Sequence, residues 1–310
     1  KRNQYKNQRG QSDMQVLIPQ QLKILNDTVP ENEAPLWDKA VAYTKGQSVI
    51  YDHYVYKAVD AAAAGVVPVD NCDADGVPWR TISVTNKYAC LDIYNWTQTK
   101  ADGAQTLTIQ VPYTLPATGL ALLNMQATRV TVAIANASGE TVYGGEPVDL
   151  LKDSISWFDY WFGVFRFKRD LVLTGIPPAS GTVTVTLEHD TCPAIGMIVV
   201  GQHVIFGVTE YGVRSGFIDY SSYTTDTYGN EAWVKRRTAR RATFPVWIDP
   251  QDADYVQDVL TDLAGSPALW IGDDGVSFSS MTIWGFLKEY DANTETYGKT
   301  MGNFEVRGIA

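Results

Sequence analysis

Apolar and polar residues alternate with a period of two along much of this chain, and the alternation keeps breaking at small or turn-forming residues. Gly181–Glu188, GTVTVTLE, alternates strictly, as a strand with one buried and one wet face must. Similar runs predict strands at Thr106–Val111, Leu120–Met125, Arg129–Ala135, Glu140–Tyr143, Phe162–Phe167 and Asp170–Thr174. Thr118-Gly119, Ala137-Ser138-Gly139, Gly144-Gly145 and Pro177-Pro178 are the separators. Beyond Ile195, glycines 196, 201, 207, 212 and 216 punctuate β-branched residues, which reads as short strands or bulges. One segment changes period. Tyr255, Val256, Val259, Leu260 and Leu263 recur at helical spacing, with Asp249 as N-cap, Pro250 as first helical residue and Gly265 as stop. Strands follow at Ala268–Ile271, Met281–Lys288 and Gly302–Gly308, the first two joined through Asp273-Asp274-Gly275. Near the start, Val16–Leu25 reads as a strand and turn.

The pattern predicts a mainly β protein with three parts: a small aromatic β module, a jelly-roll-like β-sandwich, and a C-terminal β-rich α+β domain with one clear helix. A length of 310 residues fits several domains. The expected boundaries are a basic arm and linker over 1–34, the module over 35–82, the sandwich over 84–194 and the C-terminal domain over 195–310. Within the arm, Met14 reads as a candidate start and the polar stretch before it as an extension.

The module is the most distinctive stretch. Pro35–Trp79 repeats aromatics at Trp37, Tyr43, Tyr51, Tyr54, Tyr56 and Trp79, and so short a segment packs rings where a larger domain packs aliphatics. Trp37, Tyr43, Gly46, Val49, Tyr56, Ala58, Pro78 and Trp79 fall in a pattern that resembles the small chitin-binding module of bacterial chitinases and phage proteins. The resemblance implies a carbohydrate-binding role for Trp37, Tyr43, Tyr54, Tyr56 and Trp79. It departs at Val59-Asp60-Ala61-Ala62-Ala63-Ala64, where that family carries exposed tryptophans, so weak or absent chitin binding is expected. The module is also expected to be an appendage, removable together with Met14–Ile82 without unfolding the remainder.

Composition narrows the chemistry. A net charge of −10 disfavours overall binding to nucleic acid, which leaves a DNA contact as a minor alternative for one local patch. No apolar run is long enough to cross a membrane as a helix. Three cysteines and three histidines make neither a disulfide framework nor a zinc motif, and synthesis in a reducing cytoplasm is expected. Asn71-x-Asp73-x-Asp75-Gly76 begins like a calcium loop but has Ile82 where the twelfth-position Glu should stand, so an Asx-rich turn is expected instead. No nucleophile elbow, Walker loop or dinucleotide fingerprint occurs. Neither enzyme activity nor a cofactor or metal is expected.

Two charged stretches and one aromatic run remain. Lys235, Arg236, Arg237, Arg240 and Arg241 form a basic stretch in an acidic chain, and Asp254, Asp258 and Asp262 form an acidic stripe on the predicted helix. Both are read as subunit-interface residues that pair between copies of the chain. Ser156–Phe167, SWFDYWFGVFRF, carries too many rings for one face of a strand, so some are expected to meet another domain or chain.

The order of parts resembles that of virion proteins of tailed bacteriophages. The similar segments are Pro35–Trp79, Gly196-Met-Ile-Val-Val-Gly201 through Phe206-Gly207 and Tyr211-Gly212, Asp219-Tyr220-Ser221, Asp226-x-x-Gly229-Asn230, Val234-x-x-Arg237 and Trp284-Gly285-Phe286-Leu287. The resemblance implies a tail or tail-collar component, present in the virion in several copies arranged as a ring. Its partners would be copies of itself and other phage tail or collar proteins. A host-glycan-binding adhesin and a polysaccharide-degrading enzyme are the alternatives.

Overall fold

The structure is a computed structural model that describes residues 12–101, 103–151, 157–162, 167–272, 281–296 and 299–309. Residues 1–11 of the basic arm, residues 156 and 163–166 of the aromatic run and the turn Asp273-Asp274-Gly275 lie outside them. The chain is mainly β, as its alternation requires. The first strands are β1 (Asp13–Pro19), β2 (Asn26–Asp27), β3 (Ser48–Tyr51), β4 (Tyr54–Ala58), β5 (Trp79–Val84) and β6 (Thr99–Lys100). Next come β7 (Thr106–Leu123), β8 (Arg129–Asn136), β9 (Thr141–Asp149), helix α1 (Trp157–Phe162), β10 (Leu171–Glu188) and β11 (Ala194–Ile195). The C-terminal part holds β12 (Met197–Thr209), β13 (Arg214–Asp219), β14 (Ser222–Thr225), β15 (Glu231–Val234), β16 (Thr238–Ile248), helix α2 (Ala253–Asp262), β17 (Ala268–Ile271), β18 (Thr282–Thr296) and β19 (Lys299–Gly308).

Antiparallel pairings run β12–β1–β17–β18–β19–β16 and then back from β16 to β12, which closes a barrel and removes its sheet edges. Alternate residues point inward. Met14, Val16, Phe206, Ala242, Phe244, Val246, Trp270, Phe304 and Val306 fill the interior, where Phe206 stacks on Phe304 at 5.7 Å. Helix α2 follows β16 and adds Val256, Leu260 and Leu263 to the same core. The helix starts later than its sequence suggested. Asp249 accepts the Gln251 N–H at 3.0 Å, so this residue closes an Asx turn and Asp252 takes the N-cap position. Closure also needs Gly207, because a Cβ there would stand 2.0 Å from the Trp247 carbonyl oxygen.

The sandwich expected over 84–194 takes the form of a bent ribbon. Two predicted strand pairs have merged into β7 and β10, and Thr118-Gly119 and Pro177-Pro178 bend the chain where they were expected to end strands. The register jumps between Thr174 and Ala179, where two prolines cannot donate to the ladder. On one side of the bend the ribbon pairs with β8, and β8 with β9; on the other, β7 pairs with β12. The two halves enclose one core of Leu107, Ile109, Leu120, Leu122, Val183, Val185, Ile198 and Val200. The alternate residues Ala121, Leu123, Met197 and Val199 face the opposite way and pack with Leu17, Leu269 and Trp284 of the barrel. Strand β12 therefore belongs to both bodies. Of the expected strand Phe162–Phe167, residue 162 ends helix α1 and Phe167 bridges to Leu151.

The expectation that Met14–Ile82 can be removed together does not survive the topology. β1 is a barrel strand hydrogen-bonded on both sides, and Met14, Val16 and Leu17 are fully buried. The aromatic module proper is the three-stranded sheet β3–β4–β5, turned at Asp52 and His53, both in the left-handed region. It is fastened at its base. Glu31 accepts from Thr85 Oγ1 at 2.7 Å and lies 2.9 Å from His53 Nδ1, His53 stacks on Tyr88 at 3.7 Å, and Glu33 accepts the Asn86 N–H.

Candidate functional site

The five aromatics expected at a sugar site divide into core and surface. Trp79 is 1% exposed, donates its Nε1–H to the Val66 carbonyl, and meets the Tyr43 ring edge-on at 5.4 Å. Tyr43, Tyr56, Val49, Ala58 and Ala62 complete that core. Burial pushes the Tyr56 hydroxyl above its usual range, with smaller contributions from neighbouring acidic side chains, Cys72 first. Rings packed this way hold the module together and have no free face for a sugar. Trp37 is half-buried against Tyr51, and Tyr54 is exposed, so the set does not form one platform. In the Asx-rich loop, Asp73 accepts the Thr81 N–H at 3.0 Å and the Thr81 hydroxyl at 2.6 Å, and the Thr81 hydroxyl bond is the main cause that lowers its carboxyl below the usual range. Among the described residues no group of three or more His, Cys, Asp or Glu could hold a metal ion.

A polar surface pocket of about 340 Å³ is lined by Gln105, Thr128, Arg129, Asp149, Glu188 and His189. An ion-pair network crosses it. Arg129 Nε donates to Asp149 Oδ1 at 3.0 Å and Nη1 lies 3.7 Å from Glu188 Oε2, which stitches the exposed faces of β9, β8 and β10 together. The Asp149 hydrogen bond, followed by the charges of Asp149 and Glu188, raises the Arg129 guanidinium further. A carboxylate pair with a guanidinium between its members is not the facing acid and base that glycoside hydrolysis needs.

The basic stretch begins as coil and enters β16 at Thr238. All five cations are exposed, but they are not equivalent. Arg237 lies over the Trp96 ring at 3.1 Å, and Arg240 Nη1 is 3.6 Å from Asp170. Those two are engaged within the chain. Arg236 and Arg241 have no ion pair among the described residues, and register places Arg241 opposite Arg307, a like charge; Lys235 acts on Asp219, whose carboxyl is lowered first by its hydrogen bonds from Ser221 and then by this cation. The acidic stripe is also exposed: Asp254, Asp258 and Asp262 line α2 on the side away from Val256 and Leu260, with Tyr255 beside them. Arg241 pairs with Arg307 at one end of β16, and Ile248, after which the acidic helix follows, pairs with Thr300 at the other. Seven residues at about 3.3 Å each separate these positions by about 23 Å along the strand. The basic stretch and the acidic helix thus flank opposite ends of β16.

The sequence reading missed a further surface. Hairpin β13–β16 continues past the basic end as an arm, stitched at its root by the Tyr220 N–H to the Arg237 carbonyl and then paired as β14–β15. Beyond the half-buried Ser222 its residues are exposed on both strands. Tyr223 and Trp233 face each other across the ladder at 6.4 Å and are 68% and 70% exposed, and Tyr228 at the tip is 90% exposed. The tip is nonetheless well bonded. Asp226 accepts the N–H groups of Tyr228 and Asn230, each at 2.8 Å, and the Asn230 side-chain amide at 2.8 Å; these bonds, the Asn230 side chain first, lower its carboxyl below the usual range. Tyr223 and Trp233 left a signal in the sequence: aromatics flank an Asp-x-x-Gly-Asn turn in a stretch whose other apolar residues, Ala232 and Val234, are too few for a core.

No described helix is long and apolar enough to cross a membrane. Scans against protein-family models, curated proteins and solved structures find no match to this chain.

Proposed function

We propose that this chain is a structural subunit that assembles head to tail in several copies, as a ring in the tail or tail collar of a bacteriophage particle. The observation that carries the reading is the placement of unlike charged stretches beyond opposite ends of β16: Lys235, Arg236 and Arg241 toward one, Asp254, Asp258 and Asp262 beyond the other. Such unlike surfaces form a heterologous contact, which closes into a ring where the rotation allows. The virion setting rests on the similarity in the order of parts. Neighbouring tail or collar proteins are its further partners, and synthesis takes place in the host cytoplasm. The adhesin alternative is weakened because Tyr43, Tyr56 and Trp79 are packed in the module core.

Exposed ion pairs contribute about 0–1 kcal/mol each, so several must act together with apolar contacts. Sedimentation velocity of the purified chain should therefore show an assembly that dissociates as salt rises from about 0.05 to 1 M, where the screening length falls to about 3 Å. An assembly indifferent to salt would remove the ionic contact from the reading.

A further inference from the structure

We propose that the arm Ser222–Val234 is a clasp that lies across helix α2 of the adjacent copy and packs the Tyr223–Trp233 face against it. This rests on the head-to-tail reading above. The arm emerges directly from the basic end, since Lys235 and Arg236 follow β15 without a break. A neighbour whose acidic helix meets those cations is necessarily within reach of the arm. The lengths match: four paired positions of β14–β15 span about 13 Å, and the ten-residue helix α2 about 15 Å.

The order of residues along the arm fits the same partner. The apolar pair Tyr223–Trp233 is the second pair from the root, next to the cations. The acidic residues Glu231 and Asp226 are at the tip, furthest from Lys235 and Arg236, and Asp226 is turned inward onto its own turn. On α2, Tyr255 is exposed beside the acidic stripe and Val259 is half-buried, which gives the aromatic pair an apolar footing. A two-stranded hairpin is marginal by itself, and large rings exposed on one are characteristic of a surface that is covered on assembly. Contact through rings also supplies what the ion pairs lack, an attraction that salt does not screen.

A photo-crosslinking residue in place of Trp233, in a 1:1 mixture of isotopically heavy and light chains, tests the contact. The expected products are heavy–light cross-links to peptides containing Asp252–Asp262. Cross-links confined to the same chain, or to another segment of the second copy, overturn the proposal. In a second variant, Tyr223→Ser with Trp233→Ser, the arm ladder and the barrel are kept but the apolar face is lost. Its thermal midpoint should stay near that of the parent while self-association weakens at least tenfold; unchanged self-association overturns the clasp. If the parent chain fails to self-associate at all, the head-to-tail reading fails and the clasp with it. Association that persists with cross-links elsewhere sinks the clasp alone.

Discussion

Removing Asp13–Pro19 is expected to abolish cooperative unfolding, whereas excising Ala34–Val84 is expected to leave it intact. β1 contributes Met14 and Val16 to the barrel interior and Leu17 to the contact between barrel and sandwich. Full burial of such side chains stabilises by about 1.5–3 kcal/mol each, so the three supply about 5–9 kcal/mol. That is comparable with the whole stability of a typical domain, about 5–15 kcal/mol. Loss of β1 also leaves β12 and β17 with unpaired edges in the middle of a closed barrel, an invitation to aggregate. The aromatic module has its own core and departs and returns at one place, where Glu33 accepts from the Asn86 N–H and Glu31 from Thr85. Joining Glu33 to Thr85 through two glycines should preserve a single sharp transition in urea. A cooperative transition in the chain lacking β1, near the parental midpoint, would contradict this topology.

Trp270→Ala should destabilise the barrel by about 3–5 kcal/mol, the usual cost of emptying a buried aromatic site. Trp270 is fully buried, packs within 6.5 Å of the rings of Phe206 and Phe304, and donates Nε1–H to the Gly285 carbonyl at 3.1 Å. A closed barrel has little freedom to collapse around the cavity, because each wall strand is paired on both sides. Trp270→Phe, which refills most of the volume, should recover much of the loss. Urea denaturation of the two variants measures both effects. A loss below about 1 kcal/mol for Trp270→Ala would mean that the interior is not closed as described.

Much of this fold is legible in the chain because burial on one face writes a period of two. Thr182–Glu188 shows it, with Val183, Val185 and Leu187 buried in the sandwich, and β17 occupies Ala268–Ile271 as its apolar run suggests. Val256, Leu260 and Leu263 are the helical stripe that meets the barrel core. What stays hidden is pairing at long range. In β1, four consecutive residues from Met14 to Leu17 are buried, so both faces are covered and no alternation marks the strand as part of a barrel completed some 190 to 255 residues later, at Val204 and Ile271. The bend in β7 and β10 reads locally as turns, since Pro177-Pro178 and Thr118-Gly119 carry the same residues that end strands.

The site was legible by charge more than by geometry. The basic and acidic stretches stand out in composition, but only the continuous strand β16 between them sets them apart in space, and only the contacts show that Arg237 and Arg240 are engaged by Trp96 and Asp170. In the module, aromatic spacing alone cannot separate a core from a binding platform, because both need rings at alternate positions. Trp79 and Tyr56 are core on the evidence of burial.

Mixing two chains with complementary charge reversals tests head-to-tail assembly most directly. One chain carries Arg236→Glu and Arg241→Glu at the basic end; the other carries Asp254→Arg and Asp258→Arg on α2. Each retains its second surface intact. Sedimentation velocity at low salt should find each chain monomeric alone and assembled in a 1:1 mixture, where every contact again joins opposite charges. If both altered chains assemble alone as the parent does, or if the mixture stays monomeric while the parent assembles, the two ends of the barrel do not meet.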